Sequence, residues 1–203
     1  MRSIIFGLVL SVLLVTGASG LQAADPSAYE VLGMRPGMTV SQIESALREQ
    51  KLNSHKVVRA PSFEQAVALA RKEPVASGTY GGVQTLRAEN GSVAVQVFFV
   101  PMKDGPVAAK ITTEIFSEAN NFPDTLVAKY GQPAKKTERE WLWGDAATFY
   151  ARTKAYLEFR PDPASATARK PVAIIVVGDP SLEKVSGAAI GAAARDSVRG
   201  IGS

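Results

Sequence analysis

The chain has 203 residues, 46% of them apolar, and 23 Lys and Arg against 19 Asp and Glu leave a formal charge of +4. Once an export segment is set aside, that length suits one compact domain or two small ones. The cationic excess is spread along the chain, with no phosphate-gripping tract, so nucleic acid is not expected as a partner. With no cysteine, disulfides, thiolate metal sites, a cysteine nucleophile and thioether lipidation are excluded.

Arg2 precedes residues 4–15, which are apolar except for Gly7 and Ser11, and small residues follow to Ala24. That pattern is a signal peptide over residues 1–24. About a dozen apolar residues fall short of the ~20 that span a bilayer. No transmembrane segment is therefore expected after cleavage, and the mature protein is expected in the periplasm or secreted, without a lipid anchor.

After a turn at Arg35-Pro36-Gly37, Thr39 reads as an N-cap. Gln42 completes a capping box, and Met38 and Ile43 are spaced as a hydrophobic staple. Val40, Ile43 and Leu47 predict a helix over residues 40–50. Residues 55–60 are polar with some strand character. Ser62 and Gln65 form a second capping box, and Phe63, Val67 and Ala70 make the apolar stripe of a helix that ends before Pro74.

From Thr79 the period changes to two. Strands are predicted at residues 83–88, 92–100 and 107–115. The first two are joined by Asn90-Gly91, a hairpin signal in which both residues need positive φ. The third alternates apolar and polar residues, as in a meander with one wet face. Asn120 and Pro123 start another helix, with Leu126, Val127 and Tyr130 on its buried side, and Gly131 and Pro133 end it. Further strands are predicted near residues 138–143, 154–160 and 171–177, with residues 145–152 as the loop between the first two. Residues 182–203 are mostly Gly, Ala, Ser and scattered charges, and despite the GxxxG spacing of Gly187 and Gly191 a frayed or loosely helical tail is expected.

The expected fold class is α+β, with helices packed on an antiparallel three-stranded meander and this plan used twice. The expected organisation is a signal peptide (1–24), a helix-helix-three-strand half (29–118), a helix-three-strand half (119–178) and a flexible Gly/Ala-rich tail (179–203).

The run from Tyr29 through Gly33-Met34-Arg35-Pro36-Gly37-Met38-Thr39, with Gln42, Ile43 and Leu47, resembles the opening of the SmpA/OmlA (BamE-like) family of outer-membrane assembly proteins. In that family a Gly-Met-Thr cap opens the first of two helices ahead of a three-stranded sheet, and the β-lactamase-inhibitor-like fold doubles the same unit. The likeness of motif covers residues 31–49, and element order extends it through the third strand. Two features depart from the family. Its helix ends in a Gly-x-Pro turn, whereas Arg48-Glu49-Gln50 follows Leu47 here, and its lipoproteins carry a lipidated Cys that this chain lacks. The resemblance implies an envelope-assembly role without a lipid tether, and it transfers no partner-binding residue.

Catalytic chemistry finds little purchase in the sequence. His55 is the only histidine, it stands in a polar stretch, and no Gly-x-Ser-x-Gly elbow accompanies it. Glu138 with Glu140, and Glu114 with Glu118, are the carboxylate pairs to weigh for glycosidase-like work. Their simpler role is a solvated sheet face. Gly78, Gly81 and Gly82 precede a strand, which is the wrong context for a phosphate cradle. No catalytic residue, cofactor site or metal ligand is singled out, and no cofactor is expected.

The aromatics point elsewhere. Trp141 and Trp143, two apart, project to one face of a strand, and Phe149 and Tyr150 follow in the next loop. These four form the candidate interaction surface, the alternative being that the Trp pair covers the core of the second half. The expected function is an exported binding or envelope-assembly protein without catalytic activity. Its partner would be another envelope protein or a cell-wall component. A secreted inhibitor-like protein and a cell-wall enzyme using carboxylates are the alternatives.

Overall fold

The computed structural model describes residues 29–117, 122–161 and 171–199. The expected signal peptide and the Asn120 cap lie outside the described residues, as do Glu118 and the side chain of His55.

Helix α1 (Val40–Glu49) starts as its sequence dictates. Thr39 caps it, and Gln42 closes the reciprocal box by accepting from the Thr39 N–H at 2.9 Å. Gly37, at φ +87°, makes the preceding turn, and its N–H donates to Ala108 O at 2.8 Å, which pins the cap to the sheet. Strand β1 (Asn53–Ala60) follows. Helix α2 (Phe63–Ala70) repeats the box with Ser62 and Gln65. Then come β2 (Gly82–Glu89), β3 (Val93–Val100) and β4 (Val107–Ile115). Helix α3 (Phe122–Tyr130) ends at Gly131, whose φ of +75° stops it, and β5 (Lys135–Lys136), β6 (Trp141–Gly144), β7 (Tyr156–Pro161) and β8 (Ala173–Gly178) follow. Helix α4 (Pro180–Arg199) comes last.

The expected fold class needs correction. The class is α+β, but the strands do not form three-stranded meanders. They make one eight-stranded antiparallel sheet in the order β1-β2-β3-β4-β8-β7-β6-β5. Each half of the chain supplies four strands, and the halves meet where β4 pairs with β8 from Lys110↔Gly178 to Ile115↔Ala173. The extra strands are β1 and β5. Both sit at the edges, where they bury little and carry weak periodicity. The pairing of β1 with β2 is irregular between residues 54 and 56 and between residues 58 and 59.

Two smaller expectations also change. Neither Asn90 nor Gly91 takes a positive φ. The loop holds three residues instead of two, and Asn90 Oδ1 closes it by accepting from Ser92 N and Val93 N, both at 2.9 Å. The C-terminal segment, expected to be frayed or loosely helical, forms the regular 20-residue α4. It packs against α2 and against β3 and β4, and the buried Ser186 donates its hydroxyl to Pro101 O at 2.6 Å.

One hydrophobic cluster draws on both halves. Ile43 and Leu47 of α1, Leu126 and Tyr130 of α3, and Val95, Ile111, Ile175 and Leu157 of the sheet all belong to it. The N-terminal segment fastens the halves together. Tyr29 meets Tyr130 edge to face at 5.3 Å, the Tyr130 hydroxyl lies 3.1 Å from both Glu30 N and Glu30 O, and Lys129 pairs with Glu30 at 2.6 Å.

Candidate functional site

The four candidate aromatics go to two different places, one pair on strand β6 and the other in the loop after it. Trp141 and Trp143 point into the core face. Trp143 is buried and donates its indole N–H to Gly131 O at 2.8 Å. Trp141 is half-buried, packs on Phe159 at 5.8 Å, and carries the Lys136 ammonium 3.7 Å above its ring. The Trp pair thus covers core. Phe149 and Tyr150 lie in a 3-10 turn (Phe149–Ala151) of the β6–β7 loop, with 58% and 96% of their surfaces exposed. Their rings meet edge to face at 5.4 Å.

That loop is held from its base and from beneath. Asp145 is the clamp at the base. Its Oδ1 accepts from Ala147 N at 3.1 Å, and its Oδ2 accepts from Thr153 N at 2.7 Å and Lys154 N at 3.1 Å. These backbone donors, Thr153 first, hold the Asp145 carboxyl below its usual range. Arg152 is the strut beneath. Its Nε reaches Ala147 O at 3.4 Å, its Nη1 donates to Glu158 at 2.7 Å, and its Nη2 reaches Glu140 at 3.4 Å. The Arg152 and Glu158 side chains are 4% and 1% exposed. Arg160 also pairs with Glu158, and Lys135 with Glu140 at 3.1 Å. Burial raises the Glu140 carboxyl, but the hydrogen bond and charge of Lys135, with Arg152 and Arg160, outweigh burial and hold it low.

Between the loop and the start of α4 runs a cleft of about 270 Å³, lined by Phe149, Tyr150, Arg152, Tyr156, Lys110 and Lys184 among others. Register explains its floor. Lys110, Gly178 and Tyr156 are neighbours across β4, β8 and β7, on the sheet face opposite Ile111, Val177 and Leu157. Gly178 is required there because a Cβ would come within 2.8 Å of the Tyr156 ring. The Arg152 guanidinium also packs on that ring, 4.2 Å from its centroid. Burial pushes the Tyr156 phenol up, with Arg152 opposing, so it remains a hydrogen-bond donor at neutral pH.

Sequence reasoning placed Phe149 and Tyr150 in a loop but missed Arg152, Tyr156 and Glu158. Local pattern gave no signal for them, because Glu158 and Arg160 alternate with Leu157 and Phe159 as on a strand with one wet face. The carboxylate pairs are not assembled for chemistry. Glu138 is exposed in a turn beside Glu140, and Glu114 faces Arg87 at 3.9 Å. Among the described residues no group of three or more His, Asp or Glu could hold a metal ion, and no helix is long and apolar enough to cross a membrane. No family model matches the chain, and neither comparison with characterised proteins nor comparison with solved structures finds a match.

Proposed function

We propose that the protein is an exported binding protein of the cell envelope that docks on a partner protein through the Phe149–Tyr150 loop. One observation carries the reading: a buried guanidinium and a fully engaged carboxylate hold in place a loop whose tip offers two aromatic rings to solvent. Large exposed aromatics on a preorganised loop are what binding hot spots require, since the rings bury much area and the loop has little entropy left to lose. The carboxylates favour this over an enzyme. Glu158 is inaccessible and Glu140 is paired with two cations, a poor setting for a general acid. The export pattern of residues 1–24 and the likeness of Gly37 to Gln42 to the SmpA/OmlA opening support placing the partner in the envelope.

The test is capture of partners from envelope extract by the purified protein and by its Phe149→Ala/Tyr150→Ala variant. Both rings are exposed, so the variant should fold normally by circular dichroism while losing roughly tenfold or more in affinity. Undiminished capture by the variant would sink the proposal.

A further inference from the structure

The charges around the cleft beneath the loop do not cancel, and taking each in turn shows what remains. Arg152 is engaged by Glu158 and Glu140. Asp179 is engaged as well, since its Oδ1 accepts from Ser181 N at 3.0 Å and from Ser181 Oγ at 2.6 Å at the start of α4. Lys110 rests its ammonium over the Phe98 ring at 4.4 Å and has no carboxylate within ion-pair distance among the described residues. Lys184 is exposed and likewise has none. The remaining acid of the cleft is Glu183, in the first turn of α4, where the helix dipole already favours a negative charge. Two ammonium groups that meet no carboxylate among the described residues therefore line the cleft with one helix-compensated carboxylate, with Phe149 and Tyr150 as the apolar wall and Tyr156 as the floor. At about 270 Å³ the cleft is smaller than most small-molecule sites, which run from about 300 to 1,000 Å³, and it suits one or two inserted side chains.

Resting on the docking role of the Phe149–Tyr150 loop, we infer that this cleft receives an acidic side chain of the partner protein, its carboxylate between Lys110 and Lys184 and an adjacent apolar residue against Phe149 and Tyr150. Charge complementarity then sets the register in which the partner lies across the loop. Removing Glu183 strengthens the site, and removing either lysine weakens it.

Three matched peptides, acetyl-Gly-Leu-Xaa-Leu-Gly-amide with Xaa as Glu, Gln or Lys, distinguish the outcomes when titrated into the isotopically labelled protein and followed by amide shifts. The Glu peptide should move the amides of Lys110, Ala151, Gly178 and Lys184, saturating at about fivefold lower concentration than the Gln peptide, and the preference should shrink as salt is raised. Lys110→Gln and Lys184→Gln should each erase most of that preference, and Glu183→Gln should enlarge it. Equal response to Glu and Gln, response away from the cleft, or no response to any peptide would overturn the inference. So would phosphatidylglycerol vesicles displacing the Glu peptide from the same amides, which would make the occupant a lipid headgroup. Loss of capture in the Phe149→Ala/Tyr150→Ala protein without any Glu preference defeats this inference alone, whereas undiminished capture defeats the docking role beneath it.

Discussion

Gly178 and Tyr156 form a pair that neither sequence position announces. The ring occupies the space a side chain at position 178 would need, and the Arg152 guanidinium packs on it at 4.2 Å. Gly178→Ala should therefore cost about 2 kcal/mol through overpacking against a ring that cannot swing away, read as a lower midpoint in urea. A second residue works in the opposite direction. Thr113 faces the core from β4, is 1% exposed, and its hydroxyl meets no hydrogen-bond partner among the described residues. Val has nearly the same shape without the unmet polar atom, so Thr113→Val should stabilise the fold by about 1 kcal/mol, seen as a raised melting temperature. Arg152 and Glu158 escaped the sequence reading for a related reason. A charged residue is normally solvated, and the pairing of Arg152 with Glu158 six positions away, backed by Glu140 and Arg160, makes these two tolerable inside.

At the level of elements, the β6–β7 loop should answer to acid through Asp145. Its folded-state carboxyl lies below the unfolded value of about 3.9. The clamp therefore contributes in full above that value and is lost as the pH falls through the folded one. Protection of the Thr153 and Lys154 amides, measured against their intrinsic exchange rates, should stay high at neutral pH and fall only below about pH 4. Asp145→Asn should show the low protection already at pH 7, and unchanged protection in that variant would remove the clamp from the account. Other elements differ in how plainly the sequence declares them. The boxes at Thr39–Gln42 and Ser62–Gln65 fix two helix starts because they are purely local. The β4 strand matches its expected residues 107–115 because alternation is also local. Helix α4 was hidden because its Gly and Ala content gives no stripe. Its support comes from α2 and from the Ser186 bond to Pro101, contacts that span more than eighty residues (|i−j| 85 for the bond).

For the molecule as a whole, the decisive contact is β4 against β8. No local pattern reports which strands of two halves will pair, so a sequence reading sees two small sheets where the chain builds one. The joint has a measurable consequence. Both tryptophans lie in the second half, at positions 141 and 143, while far-ultraviolet circular dichroism reports on all eight strands. With a shared sheet and a shared hydrophobic cluster, the two signals should trace one coincident transition in urea. Separate midpoints would show that the halves stand independently. Likewise, Phe149 and Tyr150 were legible as loop aromatics, whereas the cleft beside them depends on Lys110 and Gly178 arriving from strands that meet only across this joint.

Among the described residues the ribbon is left open at both ends, which invites further chains to lengthen it, yet neither terminus of this one is a good splice. A newcomer alongside β1 would have to follow two dislocations in its course, and at the far side it would find only Lys135 and Lys136 to lie against. The molecule can thus keep a broad sheet and a pair of bare aromatic rings while remaining a poor seed for fibres.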